Sequence, residues 1–466
     1  MSSLGNDLRK LLSHEQVLDE KEDLLAYAND ATFYIARRSP DAVAVPSSTA
    51  DVSKIIRFAR GNKIPVVPRG AGSGLAGGCT PVCGGIVIDM KRMNRIIEID
   101  RRNMTASVEA GVVLDRFNRE LRRQRLFYPP DPQSMKVCTI GGNVATRAGG
   151  PRGVKYGTTE RYVTGLEAVL PDGSVITPGG KVVKQSSGYD LTHLFTGSEG
   201  TLGVITQANL RILPLPETAT TIVATCVSAE QAAEIVSEII AGGVIPSMLE
   251  FLIKLAIIGM NNYIKNPIPV LGEAYLLMEV DGSMAQVESE VRQIKKICTG
   301  LGAVDVRAVT DKSDSESYWD ARSKLYPIMM SLFRRVITED VTVPRNSIPA
   351  LIKRVREIAA SLQVPIGLAG HAGDGNMHPT IMFPEISDAF QKKADEAIEE
   401  IIKAGLELSG TISGEHGIGI HKSRFMELEH GALQMDLMRA IKNSIDPEGI
   451  MNPGKIWAQE GGVYEA

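Results

Sequence analysis

Cysteine, aromatic residues and excess charge of either sign are all scarce in this chain. Its 466 residues include five cysteines, too few for a disulfide framework and too scattered for a zinc array. Cys79 and Cys83 are separated by three residues and have no matching pair downstream, while Cys138, Cys226 and Cys298 stand alone. Free thiols in a reducing compartment are expected. No Cys-x-x-Cys-x-x-Cys run occurs, so the chain lacks an iron–sulfur relay of its own. A net charge of −4 leaves no basic footprint, which excludes a dedicated nucleic-acid binder. No stretch of about 18 apolar residues exists to span a bilayer. The closest, Met248 to Met260, is broken by Glu250 and Lys254 and reads as core rather than as a docking surface. The opening residues Met1–Asp7 lack the charged-then-apolar pattern of a secretory leader. These absences predict a cytoplasmic chain, possibly peripheral to a membrane, and not a transmembrane one.

What is present is ample apolar material, 43% of residues, and a length that calls for two or three domains. Short strands are predicted at 42–45, 64–67, 85–90, 96–100 and 105–109, with helices at 50–60 and 113–123. From Thr220 the texture changes to strand 221–227, helix 229–241, strand 274–281, helix 284–299 and strand 303–309, a helix-on-sheet pattern. Leu213-Pro214-Leu215-Pro216-Glu217 interrupts both periods. The fold class is α+β. The expected divisions are an N-terminal helical extension (1–37), a first domain (38–216), a second (217–411) and a C-terminal segment (412–466) with a long helix.

Glycine is in excess, 45 of 466, roughly a tenth against a usual ~7%, and it is clumped. Pro68-Arg69-Gly70-Ala71-Gly72-Ser73-Gly74-Leu75-Ala76-Gly77-Gly78 contains G-x-G-x-G. A dinucleotide fingerprint must lie between a strand and a helix. Here Thr80-Pro81 and a second strand follow, so the remaining reading is a nest of backbone amides around an anion. Two further loops, Tyr128–Pro132 leading to Thr139–Ala145 and Gly197–Ile205, repeat the glycine-rich texture.

The order of these three loops resembles the PCMH-type FAD-binding domain of the vanillyl-alcohol-oxidase superfamily. The whole chain after about residue 20 resembles its D-2-hydroxyacid dehydrogenases, the D-lactate dehydrogenase and glycolate oxidase flavin-subunit group. The resemblance implies a PCMH-type FAD-binding domain, a ferredoxin-like substrate or cap domain, and a C-terminal helical segment returning to the flavin. It implies that Pro68, Arg69, Gly70, Ala71, Gly72, Ser73 and Gly74 hold the FAD pyrophosphate. Ser134, Thr139, Gly142, Asn143 and Ala145 would lie along the flavin, and Glu199, Gly200 and Ile205 would complete the nucleotide half. Some relatives bond flavin covalently through a histidine in the first loop; Ser73 stands at that place, so the FAD is expected to be non-covalent.

A fourth loop pair carries the histidines. Gly370-His371-Ala372-Gly373-Asp374-Gly375-Asn376-Met377-His378 places two of seven histidines seven residues apart, and Ser413-Gly414-Glu415-His416-Gly417 adds a carboxylate and a third imidazole. Two neutral imidazoles and a carboxylate suit a divalent Zn, Mn or Fe ion. The resemblance makes His371, His378 and Glu415 metal ligands. His14, His193, His421 and His430 have no such setting. Oxidising a 2-hydroxy acid removes a hydroxyl proton and a Cα hydride, the latter passing to flavin N5. His416 is the candidate general base; the resemblance makes Arg322 the partner of the substrate carboxylate, and Asn376 would hydrogen-bond the substrate. Thr338 occupies the position of a lysine found in 2-hydroxyglutarate enzymes, which favours D-lactate or glycolate. Electrons then pass to a protein acceptor (an electron-transfer flavoprotein or an iron–sulfur subunit) or to quinone. The alternatives are an oxidase of another alcohol class on the same fold, with no need of a His/His/Glu site, and an electron-transfer flavin subunit of a larger complex.

Overall fold

The computed structural model describes residues 3–32 and 38–457. The chain divides into two compact units, one made of 1–148, 158–215 and 415–466, the other of 149–157 and 216–414.

Among the described residues the first unit contains three sheets, the smallest being the pair Leu126–Phe127 with Leu213–Pro214. Three parallel strands, Ala42–Ala44, Ile86–Asp89 and Val66–Arg69, form the centre of one. The helix Thr49–Gly61 makes the crossover, started by the Ser48 hydroxyl accepting from Asp51 N. Val52, Ile55, Ile56 and Ala59 repeat at helical spacing and bury one face against Ile86 and Ile88. The edge strand Val17–Leu18 adds antiparallel to Ala42–Ala44, so the N-terminal stretch contributes sheet as well as the helices expected there. The second sheet is antiparallel, in the order Ile96–Asp100, Thr105–Glu109, Val204–Arg211, Val163–Val169, Val175–Ile176. The C-terminal helix Met426–Ile445 belongs to this unit and kinks at Gly431. Below it, Val66 N donates to Ile450 O and Asn452 N to Val66 O, which extends the first sheet's edge.

The second unit is built on an eight-stranded sheet. Its path runs Asp305–Val309, Thr218–Cys226, Ala274–Gly282, Met248–Ile253, Ile366–His371, Asn376–Phe383, Arg335–Thr338, and Val341–Thr342 also pairs with Asn376–Phe383. Met248–Ile253 is a central strand with Leu249, Phe251 and Leu252 fully buried, in keeping with its reading as core. Strand alternation places Val223, Leu252, Tyr275 and Leu277 in one cluster with Tyr318, Ala321 and Leu325 from the following helices. Among the described residues no helix is long and apolar enough to cross a membrane.

The segment 149–157 is tied to the second unit by charge. Asp281, 2% exposed, accepts from Lys155 Nζ at 2.5 Å and Tyr156 Oη at 2.7 Å, with Arg152 at 3.6 Å. Arg152 also reaches Glu279 at 3.2 Å. Removing one side of a buried pair strands the other, at a cost of roughly 3 kcal/mol or more. Asp281→Ala is therefore expected to destabilise by about 3 kcal/mol, read as a lowered urea midpoint. A loss under about 0.5 kcal/mol, the ordinary range for an unremarkable surface site, would show that the cluster is not an anchor.

Candidate active site

The three glycine-rich loops of the first unit meet. The strand Val66–Arg69 ends at Pro68 and Arg69, and the chain turns through Gly70, Ala71, Gly72, Ser73 and Gly74 before the strand Ile86–Asp89, with no helix between. A Cβ on Gly70 would lie 2.3 Å from Thr139 Oγ1, and one on Gly200 2.9 Å from Pro68 Cγ. Only glycine permits both approaches. Thr139 caps the helix Ile140–Thr146, accepting from Gly142 N. That helix's far-end carbonyls take the third loop: Gly197 N donates to Val144 O and Glu199 N to Ala145 O, both at 2.9 Å. Ser134 caps the preceding turn, its carbonyl accepting from Val137 and Cys138 N. Ile205 is a buried strand residue paired with Ala168.

Two of the nucleotide-loop side chains turn out to be structural. Arg69 donates to Asn29 O at 2.9 Å and lies 5.3 Å from the centre of the Tyr27 ring. Glu199, 7% exposed and at φ +50°, accepts from Ile418 N and Gly419 N, each at 2.7 Å. Burial pushes its carboxyl up, and those two peptide donors offset part of the rise. Asn452 Nδ2 bonds both Gly78 O (2.8 Å) and Glu199 O (2.6 Å), and buried Lys455 donates to Thr80 O at 2.7 Å. These C-terminal contacts to the first and third loops were not foreseen from the sequence. Asn143 Nδ2 is buried, with no hydrogen-bond partner among the described residues. It is a donor that a bound flavin nucleotide would satisfy.

In the second unit the histidine spacing is a hairpin. Strand Ile366–His371 turns through Ala372–Gly375, with Gly375 at φ +88°, and returns as Asn376–Phe383. His371 pairs with Asn376 and Ala369 with His378, so period-two alternation puts His371, Asn376 and His378 on one face. The imidazoles lie 5.1 Å apart, nearly perpendicular. On the neighbouring strand Phe251 pairs with Gly370, which sets Glu250 beside His371. Glu250 is fully buried; its Oε1 lies 2.5 Å from His371 Nδ1 and its other oxygen binds Arg322 Nη2. Burial pushes the Glu250 carboxyl up, but the Arg322 guanidinium and then His371 outweigh it, and the net shift is downward. Arg322, at the end of the helix Lys312–Ser323, is 6% exposed and is not a surface ion pair.

His378 Nδ1 lies 3.2 Å from the Glu339 carbonyl. An ionised carboxylate and a carbonyl only accept, so each ring donates from Nδ1, and a neutral ring then has its lone pair on Nε2. A neutral ring in that tautomer can ligate a metal through Nε2. Glu339 and Asp340 are both fully buried beside this hairpin, and Ser413 Oγ donates to Asp340 at 2.8 Å. Glu415 and His416 follow Gly414 directly in the chain and open the C-terminal segment of the first unit. Sequence reasoning missed Glu250 and the Glu339–Asp340 pair. Their signal was a lone charge in an apolar strand and two adjacent acids flanked by β-branched residues.

Residues 215–456 match the FAD linked oxidases, C-terminal domain, and residues 40–179 match the FAD binding domain. The glycolate oxidase subunit GlcD of Bacillus subtilis is 41% identical over 95% of this chain and 94% of its own. A D-lactate dehydrogenase of Archaeoglobus fulgidus is 39% identical over 89% and 90%. The chain belongs to the FAD-linked oxidases. More narrowly, it is an FAD-linked oxidoreductase of the glycolate oxidase and D-lactate dehydrogenase family, with FAD as its cofactor. The family fold extends far beyond detectable sequence kinship. The 4-ethylphenol oxidase from Gulosibacter chungangensis superposes with a TM-score of 0.81 over 98% of each chain at 18% identity, and p-cresol methylhydroxylase with 0.80 over 97% and 96% at 18%. That is likeness of the PCMH-type fold alone.

In this FAD-linked oxidase the nucleotide loop rests on a buried charge cluster. Ala31 N donates to Gly74 O, and the adjacent Asp30 is pushed up to about 6 by burial against the lowering pull of Thr32 N, Arg69 and Lys455. Burial brings Lys455 down to about 8. An acid raised on folding stabilises the fold fully below its unfolded pKa near 4 and loses that contribution as pH rises through about 6. Asp30→Asn is thus expected to raise the melting temperature at pH 7, by on the order of 2 kcal/mol of stability. The gain should vanish near pH 4. A gain independent of pH would show that ionisation of Asp30 is not its cause.

Proposed function

We propose that the protein oxidises a D-2-hydroxy acid with one carboxylate, D-lactate or glycolate, to the 2-oxo acid, using non-covalent FAD and a divalent metal held by His371, His378 and Glu415. The observation that carries this reading is the pair of imidazoles on one hairpin face, each fixed by an acceptor at Nδ1 so that Nε2 can ligate. When bound, FAD supplies the two-electron acceptor and the metal the Lewis acidity that lowers a hydroxyl's pKa. The protein's share is binding, aim and proton movement. Arg322, already buried and oriented, pairs with the substrate carboxylate. Asn376 is well placed to hydrogen-bond the substrate, since its Oδ1 is buried without a partner among the described residues. His416 receives the hydroxyl proton at an imidazole nitrogen as the Cα hydrogen leaves with its electron pair.

A monocarboxylate is supported by Thr338, whose hydroxyl lies 3.3 Å from that of Thr380. That pair offers no charge for a second carboxylate. The printed name of the Bacillus relative, a subunit, supports transfer of electrons to a separate acceptor: an electron-transfer flavoprotein, an iron–sulfur subunit or quinone.

The test is an anaerobic flavin spectrum. D-Lactate is expected to bleach it, EDTA pretreatment to prevent the bleaching, and His378→Ala to slow it at least 100-fold. Bleaching that survives both EDTA and His378→Ala would sink the metal reading. In steady state, kcat/KM should be higher for D-lactate than for D-2-hydroxyglutarate; the reverse order would remove the monocarboxylate assignment.

A further inference from the structure

Glu250 has two partners with different work to do. Its strand neighbours Leu249, Phe251 and Leu252 are wholly buried apolar residues, and Glu250 itself has no exposure. A carboxylate in such a place is costly unless both oxygens are satisfied by charged or strongly polar donors. One oxygen is hydrogen-bonded to His371 Nδ1, and the other is ion-paired with Arg322 Nη2 with no hydrogen-bond partner among the described residues. The imidazole is the proposed metal ligand and the guanidinium the proposed carboxylate binder, so this inference rests on the reading given under Proposed function.

We propose that Glu250 is a positioning residue that fixes both ends of the substrate site, setting the His371 tautomer through one oxygen and the aim of the Arg322 fork through the other. The geometry excludes a simpler role as a counterion to Arg322. A counterion needs no contact with His371, yet His371 is beside Glu250 in the strand pairing and bonded through the ring nitrogen that decides the tautomer. The ion pair of Nη2 with Glu250 draws that end of the guanidinium to the strand, and Nε has no partner among the described residues. Arg322 therefore retains N–H groups for an incoming carboxylate in a fixed orientation.

Glu250→Gln separates the two functions from bulk packing, since it keeps the size. An amide has one accepting oxygen and one NH2 group. Set between two donors, it must present NH2 to one of them, and it keeps the other without the strength that charge adds. Both arms should weaken. Two measurements are made on the FAD-loaded protein after removal of metal by chelation. The Mn2+ dissociation constant is read by electron paramagnetic resonance of free Mn2+, and KM and kcat for D-lactate are read at saturating Mn2+. The variant is expected to bind Mn2+ at least 10-fold more weakly, the range for loss of a residue that orients a metal ligand. KM should rise at least 5-fold, with a smaller change in kcat. If the variant retains FAD but either constant stays within twofold of wild type, the inference is overturned. If Glu250→Gln fails to retain FAD, Glu250→Asp, which keeps the charge but is too short to span both donors, is held to the same thresholds. A wild-type protein whose Mn2+ binding is absent, or is unaffected by His371→Ala, would instead overturn the metal reading itself.

Discussion

Two peptide N–H groups, those of Ile418 and Gly419, converge on one buried carboxylate, Glu199, and the architecture of the first unit depends on that convergence. The residue sits in the left-handed region, which an L side chain enters only when its surroundings hold it there. They do so on every side. Its own N–H is spent on Ala145 O, its carbonyl receives Asn452 Nδ2, and the latter amide also holds Gly78. One residue thus joins the helix after the second loop, the end of the first loop and two turns of the C-terminal segment. This knot ties the loops together from chain positions more than two hundred residues apart.

The second unit uses a buried acid differently. Around Glu199 the donors are backbone, so the acid fixes the path of a loop. Around Glu250 the partners are an imidazole and a guanidinium, so the acid holds two side chains and no backbone. The distinction is visible in the charge balance. Burial dominates at Glu199 and raises its carboxyl, whereas Arg322 and His371 together overcome burial at Glu250 and lower it. An ionised Glu250 can only accept, and a group that only accepts dictates where its neighbour's proton resides.

Local order was legible in the sequence because its signals are local. Helical and alternating periods located the helix after Ser48, the strand pair 96–109 and the helix–strand series from 218 to 309, mostly within two or three residues. Glycine clumps marked the three loops that the fold brings together. The spacing of His371 and His378 suggested that the two belong together but not the cause, a hairpin whose turn of four residues leaves both rings on one face. What stayed hidden was non-local. Glu250 interrupts an apolar run and reads as noise until strand register sets it beside His371. The edge strand Val17–Leu18 is too short to show a period. Segment 149–157 carries no sign that its arginine and lysine answer to Glu279 and Asp281. The Arg69 side chain lies in the phosphate-loop motif, yet it serves Asn29 and Tyr27.

Register also decides what stands behind the two rings. Two histidines on one face could as well bind an anion, through N–H groups pointing outward. The choice is made behind the rings. An acid beside His371 and a carbonyl beside His378 can only accept, which makes Nδ1 the donor in each ring. A hydroxyl or an amide N–H in either position could hold the ring in the opposite tautomer and turn a ligand into a donor. The direction in which each ring presents its Nδ1 is thus set by residues 250 and 339. It holds only as long as the strand pairing keeps Glu250 level with His371.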